Sequence, residues 1–427
     1  MQRRIAKRGF LALTAFSAAF LLAACAPPGA QQAEEAPAGE GGVYKVGLLL
    51  SQTGFAASTG TDLTRGWDLY WQQHDNTAGD FTIESIYEDD ASEPETALTK
   101  TQRLIQEENV DVLVGPILAN NALAVADYAT QSEVANLTQT SADDLTQRES
   151  SPYVLRTGAF AGSQATFAAG AWAADEGYMT AATICPDYAF GWDNCGGFAS
   201  AYLEAGGEIT QQLWYPQGTT DLSTYVAQLA SANVDVIFAG TTGGTDAVGF
   251  MQAASNFGIL DSTPVVTGAA TTSSAPLATA GDISLGIHSV GYYAEGLESD
   301  VNDEFRAAYE EAYDAIPSVY ASGAYLTAQL LDKALTEANG EKLTGEELIE
   351  AVKTVAPEAD DLLWGKVSFD EYNGVVAPLY VRTVEKRDDG KLWNVVDKTY
   401  DDVSQFWTFE PEEWLANPTF NQQFTHQ

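Results

Sequence analysis

The sequence has few cations. Lysine and arginine together number 20, against 60 aspartates and glutamates, which gives the 427-residue chain a formal net charge of −40. Four of these cations lie in the first eight residues, so the chain without its leader carries about −44. Such a chain repels nucleic acid and anionic lipid, which argues against both as partners. So many carboxylates also suit a saline exterior, where counter-ions screen their mutual repulsion.

The motifs of common catalytic and nucleotide sites are missing. The sequence contains no Gly-x-Ser-x-Gly, no Gly-x-x-x-x-Gly-Lys and no Gly-x-Gly-x-x-Gly. The three histidines, His74, His288 and His426, are scattered and lack the spacing of metal ligands. Residues 370–374 resemble a calcium loop but lack its regular acidic positions. We therefore expect no metal, no cofactor and no enzymatic activity.

Acidic pairs are plentiful in so acidic a sequence. Asp89-Asp90 and Asp143-Asp144 are two examples, which we interpret as solvated faces and helix caps. A glycosidase-like pair of carboxylates is the enzymatic alternative, because the separation that such a pair needs is not visible in a sequence.

Long apolar runs are restricted to the leader. Four cations precede an apolar run at 10–24, which is too short and too early for a spanning helix and is typical of a secretory signal. The run ends in Leu-Ala-Ala-Cys at 22–25, which resembles the lipobox of bacterial lipoproteins, whose cysteine is acylated. A chance cysteine after an ordinary signal is the alternative. We predict a signal peptide at 1–24, lipidation of Cys25 and, because residues 26–42 have almost no large apolar groups, a flexible tether at 25–42.

Cysteine is scarce, with three in the chain. If Cys25 carries lipid, Cys185 and Cys195 lie in an oxidising compartment ten positions apart, which predicts a disulfide between them. Two buried free thiols are the alternative.

Strands and helices alternate along the rest of the sequence. The predicted strands are 43–50, 81–87, 110–114, 134–137, 179–184, 208–214, 234–238 and 264–267. The predicted helices are 63–71, 94–107, 121–130, 163–176, 197–204, 221–231 and 250–257. About 400 residues exceed what one core usually serves, so this alternation predicts two doubly wound parallel sheets.

Small polar loops follow the predicted strands, at the sheet edge where ligands of such folds bind. They are 51–54, 115–121, 138–141, 188–191, 240–244 and 271–274. Hydroxyls, glycine amides and a few aromatic rings bind small polar molecules but do not activate a nucleophile. Any one of these loops is equally well explained as a helix N-cap, whereas six at equivalent places indicate a binding site.

Several segments, in order, resemble the leucine/isoleucine/valine-binding protein family, the type I solute-binding proteins of ABC importers. The similar segments are 45–54 with Gly60 and Arg65-Gly66, 89–94, 110–116, 152–157, 187–191, 205–208, 215–221, Phe369 and 374–381. The resemblance covers nearly the whole chain after the tether. It implies two α/β lobes joined by a three-crossover hinge, which close on ligand. The lobes would be 43–157 with 294–365, and 158–293 with 366–427.

The resemblance also implies where the ligand is bound. A ligand-binding serine of the family corresponds to Ala119, which has no hydroxyl. Backbone amides and Asn120 are the ligand contacts that remain at this loop. The ligand-binding hydroxyl of the family's next loop corresponds to Ser141, with Thr140 beside it. The tyrosine on which the family's ligands stack corresponds to Phe190, close to Tyr188. Thr241 and Thr242 fall where the second lobe offers a polar or aromatic contact.

One departure from the family affects the expected ligand. The carboxylate that binds an amino group in the family would lie near 268–271, and no acid is present there. A plain α-amino acid is therefore doubtful, and the segment 188–191 resembles relatives that take up aromatic acids, amides and other small carboxylates.

The sequence thus predicts the substrate-binding lipoprotein of an ABC importer of the branched-chain amino acid type. Its partners would be a small carboxylate or amide, the permease subunits and, through the lipid, the outer face of a membrane. It would act as a monomer in the cell envelope, on the periplasmic or extracellular face. A ligand-sensing receptor domain of the same fold is the alternative, but a sensor needs a transmembrane helix after the domain, whereas this sequence ends in polar residues.

Overall fold

A computed structural model describes residues 41–148 and 150–422. The predicted signal peptide, Cys25 and almost all of the predicted tether lie outside the described residues. The strands are β1 (Gly42–Leu50), β2 (Thr77–Ala78), β3 (Phe81–Asp89), β4 (Val112–Val114), β5 (Ala135–Thr138), β6 (Val154–Arg156), β7 (Thr180–Pro186), β8 (Glu208–Tyr215), β9 (Val236–Ala239), β10 (Val265–Gly268), β11 (His288–Gly291), β12 (Ser368–Phe369), β13 (Val375–Lys386) and β14 (Leu392–Val403).

Helices connect most of these strands. They are α1 (Ala57–Gln73), α2 (Pro94–Gln106), α3 (Ala119–Gln131), α4 (Asp144–Gln147), α5 (Gln164–Asp175), α6 (Ala189–Glu204), α7 (Ser223–Leu229), α8 (Thr245–Asn256), α9 (Ile259–Ser262), α10 (Ser274–Ala280), α11 (Asp300–Tyr313), α12 (Val319–Glu337), α13 (Gly345–Val355) and α14 (Pro411–Ala416), with 3₁₀ turns at Gly281–Ser284 and Ala356–Glu358. Within residues 41–148 and 150–422, no helix is both long and apolar enough to span a bilayer.

The first lobe is built on a six-stranded sheet in the order β2-β3-β1-β4-β5-β6, parallel except for the short edge strand β2. Its apolar strands are buried on both faces, as expected for a parallel sheet between helices. In β1, Leu49 packs with the α2 and α3 side of the sheet, whereas Leu48 and Leu50 belong to the core that includes Trp67 of α1. Helices α11, α12 and α13 return to this lobe and pack against α1, β2 and β5.

The second lobe is built on an eight-stranded sheet in the order β12-β13-β11-β10-β9-β7-β8, with β14 paired to β13. Strands β7 to β11 are parallel, but β13 runs antiparallel to β11, β12 and β14. The predicted pair of parallel-sheet α/β lobes is confirmed, and the second sheet carries in addition antiparallel strands on one side of β11. The segment 374–381, assigned from the resemblance to the last crossover, lies mostly in β13. The register of the β13–β14 hairpin is fixed by the turn at 387–391, where Gly390 adopts a positive φ of 86°.

The chain passes between the lobes three times: from β6 to α5, from β11 to α11, and after α13 before β12. An aromatic residue lies at each passage. The ring of Tyr292 lies 5.3 Å from that of Phe160 and 4.4 Å from that of Trp364, centroid to centroid. All three are buried. The three passages are thus packed on one another through aromatic contacts.

Helix α6 begins eight residues before its predicted start at Gly197. Its glycines suggest a loop in the sequence, but in the structure they allow the helix to approach neighbouring backbone closely. A Cβ on Gly191 would lie 1.9 Å from the carbonyl oxygen of Pro186, and one on Gly197 would lie 2.4 Å from that of Ser163. The early start places Phe190 on the first turn of a helix, not in a loop.

Candidate functional site

A cleft of about 730 Å³, including its opening to solvent, lies between the two lobes where the carboxyl ends of the strands meet. Both lobes and their connections contribute to its walls. The lining residues are Ala56, Thr59, Ile117, Leu118, Ala119, Gln139, Ser141, Ala159, Phe160, Ala165, Tyr188, Phe190, Asn194, Thr242, Ala269, Ala270, Tyr292, Val319 and Tyr320. No aspartate, glutamate, lysine, arginine or histidine is among these described residues, so the walls of the cleft carry no formal charge.

Five of the eight residues predicted to contact ligand line this cleft: Ala119, Ser141, Tyr188, Phe190 and Thr242. The other three, Asn120, Thr140 and Thr241, are not among the lining residues. Thr140 is fully buried, and the hydroxyl of Thr241 is hydrogen-bonded to that of Thr271 at 2.9 Å. Neither side chain offers a free polar group to a ligand.

The loop after β5 presents Ser141 to the cleft. Buried Arg156 donates hydrogen bonds to the carbonyl oxygens of Thr140 and Ala142, on either side of Ser141, and to the hydroxyl of Thr146. Burial lowers the pKa of Arg156 to about 10, which still leaves it charged at neutral pH. Within the described chain the hydroxyl of Ser141 has no hydrogen-bond partner, so it remains available to a ligand.

Helix α3 points its N-terminus at the cleft. Leu118 is the N-cap residue, and the first N–H bonded within this turn is that of Ala122, which donates to the carbonyl oxygen of Leu118 at 2.9 Å. The N–H groups of Ala119 and Asn120 find no acceptor among the described residues. Unpaired N–H groups at a helix N-terminus carry partial positive charge, which suits an anionic or carbonyl oxygen.

The opposite wall carries the aromatic pair Tyr188 and Phe190. Their ring centroids lie 5.9 Å apart with planes inclined by 27°. Cys185, at the end of β7, forms a disulfide with Cys195 in α6, with their Sγ atoms 2.01 Å apart. The bond ties the first turns of α6, which carry Phe190, to the end of β7, the strand next to the edge strand β8. Burial, with the carboxylate of Asp246 nearby, raises the pKa of Tyr188, so its hydroxyl keeps its proton.

Thr242 lines the cleft without offering its hydroxyl. Its N–H donates to Asp246 Oδ2 and its hydroxyl to Asp246 Oδ1, each at 2.8 Å. The hydroxyl of Tyr215 also donates to Asp246 Oδ2 at 2.8 Å. The carboxylate of Asp246 therefore accepts the hydrogen bond of the Thr242 hydroxyl, whose proton is not available to an anionic ligand.

Sequence reasoning missed most of the cleft. Ala159, Phe160 and Tyr292 come from the passages between lobes, and Val319 and Tyr320 come from the start of α12. These residues lie in no polar loop at a strand end and in none of the positions to which the resemblance assigned a ligand contact. Asn194 was missed because it was expected to precede its helix, whereas it lies on the second turn of α6.

A family model described as periplasmic binding protein matches residues 43–391. The chain belongs to this family. A leucine/isoleucine/valine-binding protein homologue of Brucella melitensis is 30% identical over 373 residues, covering 84% of this chain and 92% of that protein.

Two solved structures of the family are especially informative. A solute-binding protein of an ABC transporter from Rhodopseudomonas palustris BisB5, in complex with 3,4-dihydroxybenzoic acid, has 31% identity and a TM-score of 0.79, covering 84% of this chain and 98% of that one. A second solute-binding protein from R. palustris, in complex with benzoate, has 28% identity and a TM-score of 0.76, with the same coverage of 84% and 98%. This chain is thus a solute-binding protein of the ABC-transporter class.

Proposed function

We propose that this protein captures a small aromatic carboxylate, or the corresponding amide, in the cleft between its lobes and delivers it to the permease of an ABC importer. The observation that carries the proposal is a cleft lined by five aromatic rings and no charged side chain. Aromatic walls provide contact area for a flat ring. The aromatic acids bound by the two R. palustris relatives have this chemistry.

The carboxylate of the ligand would be held without a cationic side chain. The unpaired N–H groups of Ala119 and Asn120 and the hydroxyl of Ser141 are three donors near one end of the cleft. Hydrogen bonds to a charged acceptor are among the stronger ones that a neutral site can offer. The ring would then pack on Phe190 and Tyr188 of the second lobe.

The same walls disfavour an α-amino acid and a chemical reaction. The ammonium group of an amino acid needs an acidic partner once it is desolvated, and none lines the cleft. General acid–base catalysis likewise needs a titratable group that changes protonation near neutral pH. The tyrosines of the cleft do not fill that role, because burial raises the pKa of Tyr188, Tyr292 and Tyr320.

The remaining parts of the proposal rest on the sequence. Acylation of Cys25 would anchor a monomer to the outer face of the membrane, with residues 25–42 as a tether. Closure would bring residues 43–157 and 294–365 against residues 158–293 and 366–427 around the ligand.

A ligand screen tests the proposal. Benzoates and benzamides should raise the unfolding temperature, since a ligand that binds only the folded state stabilises it. Leucine and benzylamine, which present an ammonium group, should not. Tight calorimetric binding of leucine, with none of any aromatic acid, would assign the cleft to amino acids instead.

A further inference from the structure

Two side-chain oxygens in the cleft can accept hydrogen bonds but cannot donate them, and neither has a partner among the described residues. They are Oε1 of Gln139, in the first lobe, and Oδ1 of Asn194, in the second. Both residues line the cleft and both are buried, with relative exposures of 1% and 4%. A buried acceptor without a donor is costly, which makes Oε1 of Gln139 a feature that needs a physical account, whereas Oδ1 of Asn194 also lacks a described partner but is not fully enclosed.

The surrounding hydrogen bonds fix the orientation of the Gln139 amide. The hydroxyl of Thr327 donates to the carbonyl oxygen of Gly323 at 3.0 Å, so it must accept from the Gln139 amide. Nε2 of Gln139 is the donor, at 2.8 Å. Oε1 therefore faces Gly158, where a Cβ would lie only 1.7 Å from it. The absence of a side chain at residue 158 leaves room for this amide.

The Asn194 amide is fixed in the same way. Its Nδ2 donates to the carbonyl oxygen of Phe190 at 2.9 Å, which leaves Oδ1 as the free atom. Oδ1 lies 3.1 Å from the position that a Cβ on Gly268 would occupy. This is the edge of the second sheet where the sequence lacks the family's amine-binding acid. A neutral acceptor is present there instead of a carboxylate.

A neutral acceptor favours a neutral donor. A phenolic hydroxyl can donate to an amide oxygen, whereas an ammonium group would be desolvated there without a counter-charge. An unsubstituted benzoate has no donor at all, so it would leave both oxygens unpaired. Sites built to bond a hydroxyl discriminate strongly against the analogue that lacks it, because the buried partner stays unpaired.

We propose that Gln139 and Asn194 select ligands that carry a hydrogen-bond donor on the ring, so that hydroxybenzoates bind in preference to benzoate. This inference rests on the aromatic-acid function proposed above. The two R. palustris relatives were solved with one ligand of each type: 3,4-dihydroxybenzoic acid carries ring hydroxyls, and benzoate carries none.

The test is a calorimetric ligand series on the full chain after the leader: benzoate, 3- and 4-hydroxybenzoate, 3,4-dihydroxybenzoate and 4-fluorobenzoate. The fluoro compound fills the same space as the 4-hydroxy compound but has no proton to donate. We expect at least one hydroxybenzoate to bind tenfold or more tightly than benzoate and 4-fluorobenzoate. Equal affinities would overturn the selection by Gln139 and Asn194 while leaving the aromatic-acid function standing. Failure of every aromatic acid to bind would overturn both.

Two variants assign the preference to the residues. Gln139→Met and Asn194→Leu should each reduce the affinity for the hydroxylated acid more than the affinity for benzoate, so that the ratio of the two affinities shrinks. Asn136→Leu is the matched control, because Asn136 is a buried amide on β5 whose polar atoms also lack partners but which does not line the cleft. If Gln139→Met and Asn194→Leu both keep the wild-type ratio of the two affinities, these residues do not select the ligand. If a variant fails to fold, the wild-type ligand series still decides whether hydroxybenzoates are preferred.

Discussion

The backbone N–H of Asp143, in the first lobe, donates a hydrogen bond to Oδ2 of Asp193, in the second, across 3.1 Å. Both side chains are buried. Oδ1 of Asp143 accepts from the N–H of Ser163 at 3.1 Å, and its Oδ2 has no partner in the described chain. Two acidic groups are thus enclosed where the lobes meet.

This arrangement predicts that ligand affinity increases as pH falls. Burial raises the pKa of Asp143 and of Asp193, and the charge of Asp143 raises that of Asp193 further. Of the neighbouring groups, Asp144 acts in the same direction and Arg156 opposes it. Parting the lobes should return both pKa values toward the ordinary value of about 3.9. Above that value the closed form therefore binds more protons than the open form, and raising the pH disfavours closure.

Calorimetry between pH 5 and 8 checks this, in a range where the ligand carboxylate, with a pKa near that of glutamate at about 4.3, stays ionised. Affinity should fall by up to about tenfold per pH unit for each proton released. Asp193→Asn should weaken the dependence, and the exposed Asp221→Asn should leave it unchanged. A pH-independent affinity in the wild type would refute the linkage.

The second prediction concerns Ser141 and Phe190, two of the five predicted contact residues that line the cleft. Ser141→Ala should cost about 1–3 kcal/mol of binding free energy, because a charged acceptor loses a donor. Phe190→Ala should cost a similar amount through lost contact area. Thr241→Ser is the control, since the hydroxyl of Thr241 bonds to Thr271 and does not line the cleft. Wild-type affinity in both alanine variants would mean that the ligand binds elsewhere.

The disulfide should stabilise the fold. Replacing Cys185 and Cys195 with serine should lower the free energy of unfolding by about 2–3 kcal/mol, the entropic effect of closing a loop of about ten residues. Chemical denaturation measures the difference. A second measurement counts thiols in denatured, unreduced Cys25→Ser protein, where we expect none. Two reactive thiols would disprove the bond.

Membrane attachment should depend on Cys25. Several acyl chains hold a protein lastingly, whereas one chain binds marginally. Cys25→Ser should therefore move the protein from the membrane pellet to the soluble fraction. The double serine variant of Cys185 and Cys195 should stay in the pellet, which separates anchoring from folding. Sedimentation of Cys25→Ser with membranes would count against lipidation.

The fold was largely predictable because its signal is local. Strand β1 is a run of apolar residues, and α1 repeats Leu63, Trp67 and Trp71 on one face, so each element can be recognised without knowing its neighbours. The antiparallel pairing of β13 with β11 was not predicted, because it joins segments about ninety residues apart. No local period distinguishes it from an isolated strand.

The site was predictable in part. The loops at strand ends predicted Ser141, and the resemblance predicted Phe190. Phe160 and Tyr292 also line the cleft, but they meet only because the chain passes three times between the lobes. The hydrogen bonds that occupy Thr242 and orient Asn194 each join residues four positions apart, but they depend on where α8 and α6 begin. Such satisfaction of polar atoms follows from tertiary packing, which composition does not report.

A cleft without charge inside a chain of net charge −40 has a kinetic consequence. An anionic ligand is repelled while it diffuses toward the protein, but the walls exert no such force once it has entered. Salt screens the long-range repulsion over a Debye length of about 10 Å at 0.1 M. The association rate constant should therefore rise with ionic strength while the dissociation rate constant stays nearly constant. The protein would then bind its ligand fastest at high salt concentration. Stopped-flow binding at several salt concentrations measures both.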